Sequence, residues 1–255
     1  MTRSFNWTKI AYTNAKGLKL AGLLYNGPET DTVIVVCHGF TGKKEGSGKA
    51  VAMAEELGKR GYATLLFDFS GCGESEGKFS DLSLTGHIDD IKSSVDYCLE
   101  LGFERVVTVG RSFGGSAALC HGGSDLRVAG VCTWAAPAEL VKLFSVYDDP
   151  AVTNEGNLVP LSGEEGTAYL KKSFFSDLER HDVPAQAALI APRPLLVIHG
   201  NNDEVVPPGN AQKIFNAASP PKKINYIPGA DHRFTGQHEK VWQVFFNWLE
   251  EYLPL

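Results

Sequence analysis

Two hydrophobic periods take turns along this chain. Val33-Ile34-Val35-Val36-Cys37 is an unbroken apolar run, the pattern of a strand buried on both faces of a parallel sheet. Residues 47–60 space Val51, Ala54 and Leu57 at helical intervals and end near Arg60-Gly61, where a helix stops. The same exchange continues downstream. Strands are expected at 62–67, 105–109, 128–134, 194–199 and 223–227. Helices are expected at 81–101, after Gly110, at 208–218 and at 237–252. Ahead of them, 5–13 and 18–25 are rich in Trp, Tyr, Ile and Leu and flank Asn14-Ala15-Lys16-Gly17, a β-hairpin pattern. Strand–helix alternation of this kind predicts an α/β fold with a doubly wound, mostly parallel sheet, preceded by the hairpin.

The rhythm breaks after Ala136-Pro137 and resumes at Pro194. A structureless loop of that length is unusual in a compact domain. Residues 137–193 are therefore expected to form a small inserted cap, with a helix at 167–180. The core then comprises 1–136 and 194–255.

Gly110-Arg111-Ser112-Phe113-Gly114 lies where a β-branched run, Val106 to Val109, meets a stretch of small residues, Ser116 to Leu119. Strand, Gly-x-Ser-x-Gly and helix together are what a nucleophile elbow requires: a turn so tight that glycines must flank it and the serine hydroxyl stands exposed. A serine hydroxyl needs a base to take its proton and a third group to orient that base. Asp203 follows the strand 194–199, and His232 lies in Gly229-Ala230-Asp231-His232 after the strand 223–227. Loops at the carboxyl ends of parallel strands converge on one crevice, so Ser112, Asp203 and His232 are expected to meet. Glu204 and Asp231 are rival acids. Acyl transfer also needs hydrogen-bond donors for the developing oxyanion. The N–H after the nucleophile, that of Phe113, is one. The N–H of Phe40, in His38-Gly39-Phe40-Thr41-Gly42 after the strand 33–37, is the other. His38 is read as a brace for this loop.

Other signals add less. Asp68-Phe69-Ser70-Gly71-Cys72-Gly73-Glu74-Ser75 carries glycines but matches no phosphate-binding motif, and is read as a structural turn. His87, His121, His181, His199 and His238 form no metal-ligand spacing, and no metal or cofactor is implied. The chain of 255 residues has a formal net charge of −6, which disfavours nucleic-acid and anionic-membrane partners. Its five cysteines, Cys37, Cys72, Cys98, Cys120 and Cys132, include no Cys-x-x-Cys pair and read as small buried hydrophobes suited to a reducing compartment. The first residues lack the apolar core of a signal peptide, so a cytoplasmic location is expected. The oligomeric state, a homodimer included, is left open.

Taken together, His38-Gly39-Phe40, the Asp68–Ser75 turn, Gly110–Gly114, Asp203 and His232 resemble the α/β-hydrolase superfamily across almost the whole chain, including its order of serine, acid and histidine. More narrowly, His38–Gly42, Asp203-Glu204-Val205-Val206 and Gly229–His232 resemble bacterial cinnamoyl (feruloyl) esterases and related small carboxylesterases. Gly110-Arg111-Ser112 departs from the more usual Gly-His-Ser. The resemblance implies a serine esterase, independent of cofactors, with a small-molecule ester as substrate and 137–193 as a lid over the acyl pocket. Tyr147, Asp148 and Tyr169 lie in that lid and are candidate contacts for an aromatic acyl group. A peptidase, amidase or thioesterase would use the same residues. A non-catalytic binding module is the remaining class, and it has no need of all three groups.

Overall fold

A computed structural model describes residues 5–27, 30–147, 157–163 and 166–255. Its centre is an eight-stranded sheet. Strands β1 (Asn6–Thr13) and β2 (Lys19–Asn26) form the expected hairpin. They are followed by β3 (Thr32–Cys37), β4 (Ala63–Phe67), β5 (Arg105–Arg111) and β6 (Val128–Trp134). The last two strands of this sheet are β9 (Leu195–Gly200) and β10 (Lys222–Ile227). Their spatial order is β1-β2-β4-β3-β5-β6-β9-β10. The hairpin joins β4 antiparallel, and every pair from β4 to β10 is parallel. This is the doubly wound, mostly parallel sheet expected from the alternation, and it has the α/β-hydrolase fold that the resemblance implies.

The central strands are apolar along their length because helices cover both faces. Val33, Val35 and Cys37 enter one buried cluster, while Ile34 enters the other. Leu195 and Val197 of β9 likewise face one side, and Leu196 and Ile198 face the opposite one. Helices α1 (Lys49–Lys59) and α8 (His238–Tyr252) supply the second cluster with Met53, Leu57, Phe245, Trp248 and Leu249. Helices α2 (Leu84–Glu100) and α3 (Phe113–Ser124) cover the first, with Ile91, Val95, Ala117 and Leu119. Helix α7 (Gly209–Ala217) adds Ala211 and Ile214 there. All five cysteines are free and buried within these layers. Burial pushes the thiols of Cys72 and Cys120 up to about 12, so they behave as small hydrophobes.

Between β6 and β9 the chain forms α4 (Leu140–Phe144), a two-stranded antiparallel pair β7 (Leu158–Gly163) and β8 (Gly166–Lys171), α5 (Ser173–Leu178) and α6 (Val183–Ala188). The single helix expected over 167–180 is therefore corrected to a strand followed by a short helix. The strand wins because Thr167, Ala168, Tyr169 and Leu170 alternate in exposure, with only Leu170 fully buried. Asp177 of α5 accepts from the backbone N–H of Thr85 (3.0 Å) and its hydroxyl (2.6 Å), tying this segment to the start of α2.

The loops after β3 and β4 are locked together by a buried ion pair. Asp68 accepts from the backbone N–H of Lys44 (2.7 Å), the Lys44 Nζ (2.8 Å) and the N–H of Glu74 (2.9 Å). Lys44 is 4% exposed and Asp68 is fully buried. Burial opposes the charge on Lys44, but Asp68 and Glu74 outweigh it and raise its basicity. The Asp68–Ser75 segment is thus a structural turn, as its sequence suggests. Breaking one partner of a buried pair leaves the other charge uncompensated. We predict that Asp68→Asn lowers the unfolding free energy in urea by about 3 kcal/mol, whereas Glu74→Gln, an exposed partner, leaves the midpoint near that of the parent.

Candidate functional site

Ser112 sits between β5 and α3 with φ 53° and ψ −126°, a conformation that L-residues rarely adopt. Such strain costs about 1–3 kcal/mol and persists only where the surroundings enforce it. Here they do. A Cβ on Gly110 would stand 2.3 Å from the Gly114 carbonyl oxygen. One on Gly114 would stand 2.2 Å from the carbonyl oxygen of His38 and 2.6 Å from that of Cys37. The end of β3 and its loop therefore abut the first turn of α3, and residues 38–40 run alongside Ser112.

The structure brings the three separated side chains together. His232 Nε2 lies 3.0 Å from Ser112 Oγ, and His232 Nδ1 lies 2.8 Å from Asp203 Oδ2. With Nδ1–H donating to the carboxylate, Nε2 presents its lone pair to the serine hydroxyl. Asp203 Oδ1 accepts from the backbone N–H groups of Val205 (3.0 Å) and Val206 (2.8 Å). Burial alone would raise this carboxyl. Contacts with His199, His232 and the Val206 N–H reverse the effect and hold it well below the usual carboxylate range. Of the rival acids, Asp231 accepts from the N–H groups of Arg233 (3.0 Å) and Thr235 (2.9 Å) and so caps its own turn. Glu204 is exposed.

Phe113 opens α3, where the N–H groups lack helical acceptors and the dipole favours negative charge. Among the described residues, the N–H groups of Phe113 and Phe40 have no protein acceptor. His38 braces the loop that carries Phe40: its Nε2 accepts from the Phe69 N–H (3.2 Å) and its Nδ1–H donates to Gly39 O (2.8 Å). Arg111, which stands in place of the more usual histidine, is largely buried beside this loop. Burial and nearby Arg233 lower its basicity, partly offset by Asp203.

A cluster of aromatic rings that the sequence did not reveal surrounds Phe40. Its ring lies 5.0 Å from that of Phe144, 5.5 Å from those of Phe79 and Phe113, and 5.7 Å from that of Phe174. Tyr147, 39% exposed, reaches the rim of this cluster at 6.3 Å from Phe144. Tyr169 is exposed on β8 opposite Pro160, without a ring contact or hydrogen bond to these residues among those described. Asp148 lies outside the described residues. Among the described residues, no group of three His, Cys, Asp or Glu side chains is placed to hold a metal ion, and no helix is long and apolar enough to cross a membrane.

Comparison with known proteins agrees with this architecture. Residues 32–124 match the family described as alpha/beta hydrolase fold. The uncharacterized protein YfhR of Salmonella typhi is 28% identical over 249 residues, spanning 92% of this chain and 78% of that one. Est1E from Butyrivibrio proteoclasticus, solved with ferulic acid bound, superposes with a TM-score of 0.84 at 25% identity, covering 96% of this chain and 99% of its own. The esterase domain of a Rhodothermus marinus protein superposes with a TM-score of 0.74 at 25% identity, covering 97% and 99%.

Two outcomes follow from the geometry. Gly114→Ala sets a methyl group against two backbone carbonyls, so it is expected to lower stability by about 1–3 kcal/mol, read from thermal melting. Asp203, with its lowered value, contributes stability that is fully present above the ordinary carboxylate range near about 4 and fades as pH falls below it. The destabilisation caused by Asp203→Asn should accordingly be large at pH 7 and shrink steadily below about pH 4, measured by urea denaturation across that range.

Proposed function

We propose that this chain, which has the α/β-hydrolase fold, is a serine hydrolase of carboxylic esters acting through an acyl-enzyme on Ser112. The single observation that carries this reading is the hydrogen-bonded chain from Ser112 Oγ through His232 to Asp203 Oδ2, at 3.0 and 2.8 Å. Oγ attacks the ester carbonyl carbon as its proton passes to His232 Nε2. Asp203 keeps the ring oriented and stabilises the imidazolium. The N–H groups of Phe40 and Phe113 hold the oxyanion, a role worth about 3–4 kcal/mol per preorganised donor. His232 then protonates the leaving alcohol. Water, deprotonated by the same ring, attacks the acyl-enzyme and releases the acid. No step calls on a cofactor.

Hydroxycinnamate (feruloyl) or short-chain esters are the proposed substrates, with 137–193 as the cap over the acyl group. The rings of Phe40, Phe79, Phe144 and Phe174 support an apolar, aromatic-tolerant acyl side. The 25% identity to Est1E, solved with ferulic acid, favours the same class. Tyr147 at the rim of that cluster is the better placed of the proposed acyl contacts.

Ser112→Ala is expected to lower p-nitrophenyl butyrate hydrolysis below about one part in ten thousand of the parent rate and to abolish labelling by a fluorophosphonate probe. Unchanged turnover would sink the mechanism. Preference for methyl ferulate over short aliphatic esters would support the hydroxycinnamate class, and the reverse order would remove it. Matched ester and anilide substrates separate an esterase from an amidase.

A further inference from the structure

Two histidines stand beside Asp203, and the proposed mechanism uses only His232. His199, in β9, is fully buried. Its Nε2 lies 2.8 Å from the Val206 carbonyl oxygen and 3.2 Å from Asp203 Oδ2. Both neighbours are acceptors, so Nε2 carries the ring hydrogen; it donates to the Val206 carbonyl and stands beside the carboxylate. Its Nδ1 is buried and has no partner among the described residues. An imidazole with one nitrogen orphaned is a poor choice for filling space, since burying an unpaired polar atom is unfavourable. What the ring supplies is a donor at Nε2 that ties down the Val206 carbonyl while lying 3.2 Å from the carboxylate oxygen that His232 also contacts.

We propose that His199 is a positioning residue for Asp203: by holding the Val206 carbonyl it fixes the turn that orients the carboxylate toward His232, and its polar Nε2–H, 3.2 Å from Oδ2, offsets part of the carboxylate charge. This inference rests on the Ser112–His232–Asp203 reading. His199 closes the Asp203–Val206 turn from beneath, since the Val205 and Val206 N–H groups donate to Asp203 Oδ1 while the Val206 carbonyl accepts from His199. Oδ1 is thus committed to the backbone, and Oδ2 is left to the two imidazoles. The other charged groups facing Asp203 are Asp231, in the loop after β10, and Arg111, at the end of β5. Neither makes a hydrogen bond to it among the described residues, so His199 is the side chain set to tune it.

The sign of the effect follows. Without the His199 donor, more of the Asp203 charge acts on His232, which favours the protonated ring. The acid limb of kcat/KM then moves to higher pH. In His199→Phe we expect kcat to fall about tenfold with KM within about twofold of the parent, and the acid limb to rise by about half a pH unit. His199→Gln, which offers an N–H close to the position of Nε2, should recover most of kcat and the parental limb. A residue that merely packed would not divide the two variants in this way. An unmoved acid limb in folded His199→Phe, or a His199→Gln no better than it, overturns the proposal. Should His199→Phe fail to fold, histidine-selective 15N spectra of the unmodified protein decide: the Nε2–H tautomer at His199 supports the inference, and the Nδ1–H tautomer refutes it. Ser112→Ala, assayed alongside, keeps the two readings apart. Persistent turnover there refutes the nucleophile, whereas normal kinetics in His199→Phe beside an inactive Ser112→Ala refutes only the role of His199.

Discussion

The approach of two backbones at Gly114 is the contact on which the site depends. Carbonyl oxygens of Cys37 and His38 occupy the space that any side chain there would need. This lets α3 begin directly against the end of β3, and the turn between β5 and α3 has no room to relax. Ser112 is held at positive φ as a consequence. The strain is small beside what opposes its release. Helix α3 is buried from Phe113 through Gly122, and β5 is paired on both sides. Small residues in α3 serve the same end, because they let the helix lie close to the sheet.

That contact also sets the electrostatics. The loop after β3 lies beside the amino end of α3, so the N–H groups of Phe40 and Phe113, without an acceptor among the described residues, belong to adjoining pieces of backbone. The loop is itself tied down twice, by His38 to Phe69 and by Lys44 to Asp68. Donors that must wait for a transient negative charge are useful only if they do not reorganise to meet it. The buried ion pair can therefore matter to chemistry while sitting in a turn that contacts no reacting atom.

The parallel core was legible in the sequence because its central strands are buried on both faces, and the runs at 33–37 and 195–198 are short, apolar and rich in β-branched residues. The elbow and its partners were legible because strand ends are where such loops must fall. What failed was 167–180. Leu170, Phe174 and Leu178 recur every four residues and are all buried, which imitates one helical face. The chain instead crosses from strand to helix between them. Strand β7 escaped notice because Pro160 interrupts its apolar run, a residue tolerated at the edge of a two-stranded pair. The ring cluster was invisible for a different reason: Phe40, Phe79, Phe144 and Phe174 come from four distant segments, and no local pattern links them.

A buried carboxylate needs enough donors to remain ionised, and the geometry around Asp203 meets that need partly from its own turn and partly from an imidazole on another loop. Two carboxylate oxygens offer about four acceptor positions. Backbone N–H groups of Val205 and Val206 take those on Oδ1, and His232 donates to Oδ2, with His199 Nε2 3.2 Å away. A carboxylate satisfied only by its turn would be stable yet free to swing away from His232. One satisfied only by imidazoles would be costly to bury. Splitting the two oxygens between backbone and side chains solves both problems, with one oxygen anchored and the other kept available to the ring that moves the proton in the proposed mechanism. His199 was read from sequence only as one of several histidines without metal-ligand spacing. Its contact with Asp203 spans four residues of a loop, a separation that carries no signal until the turn at 203–206 is folded.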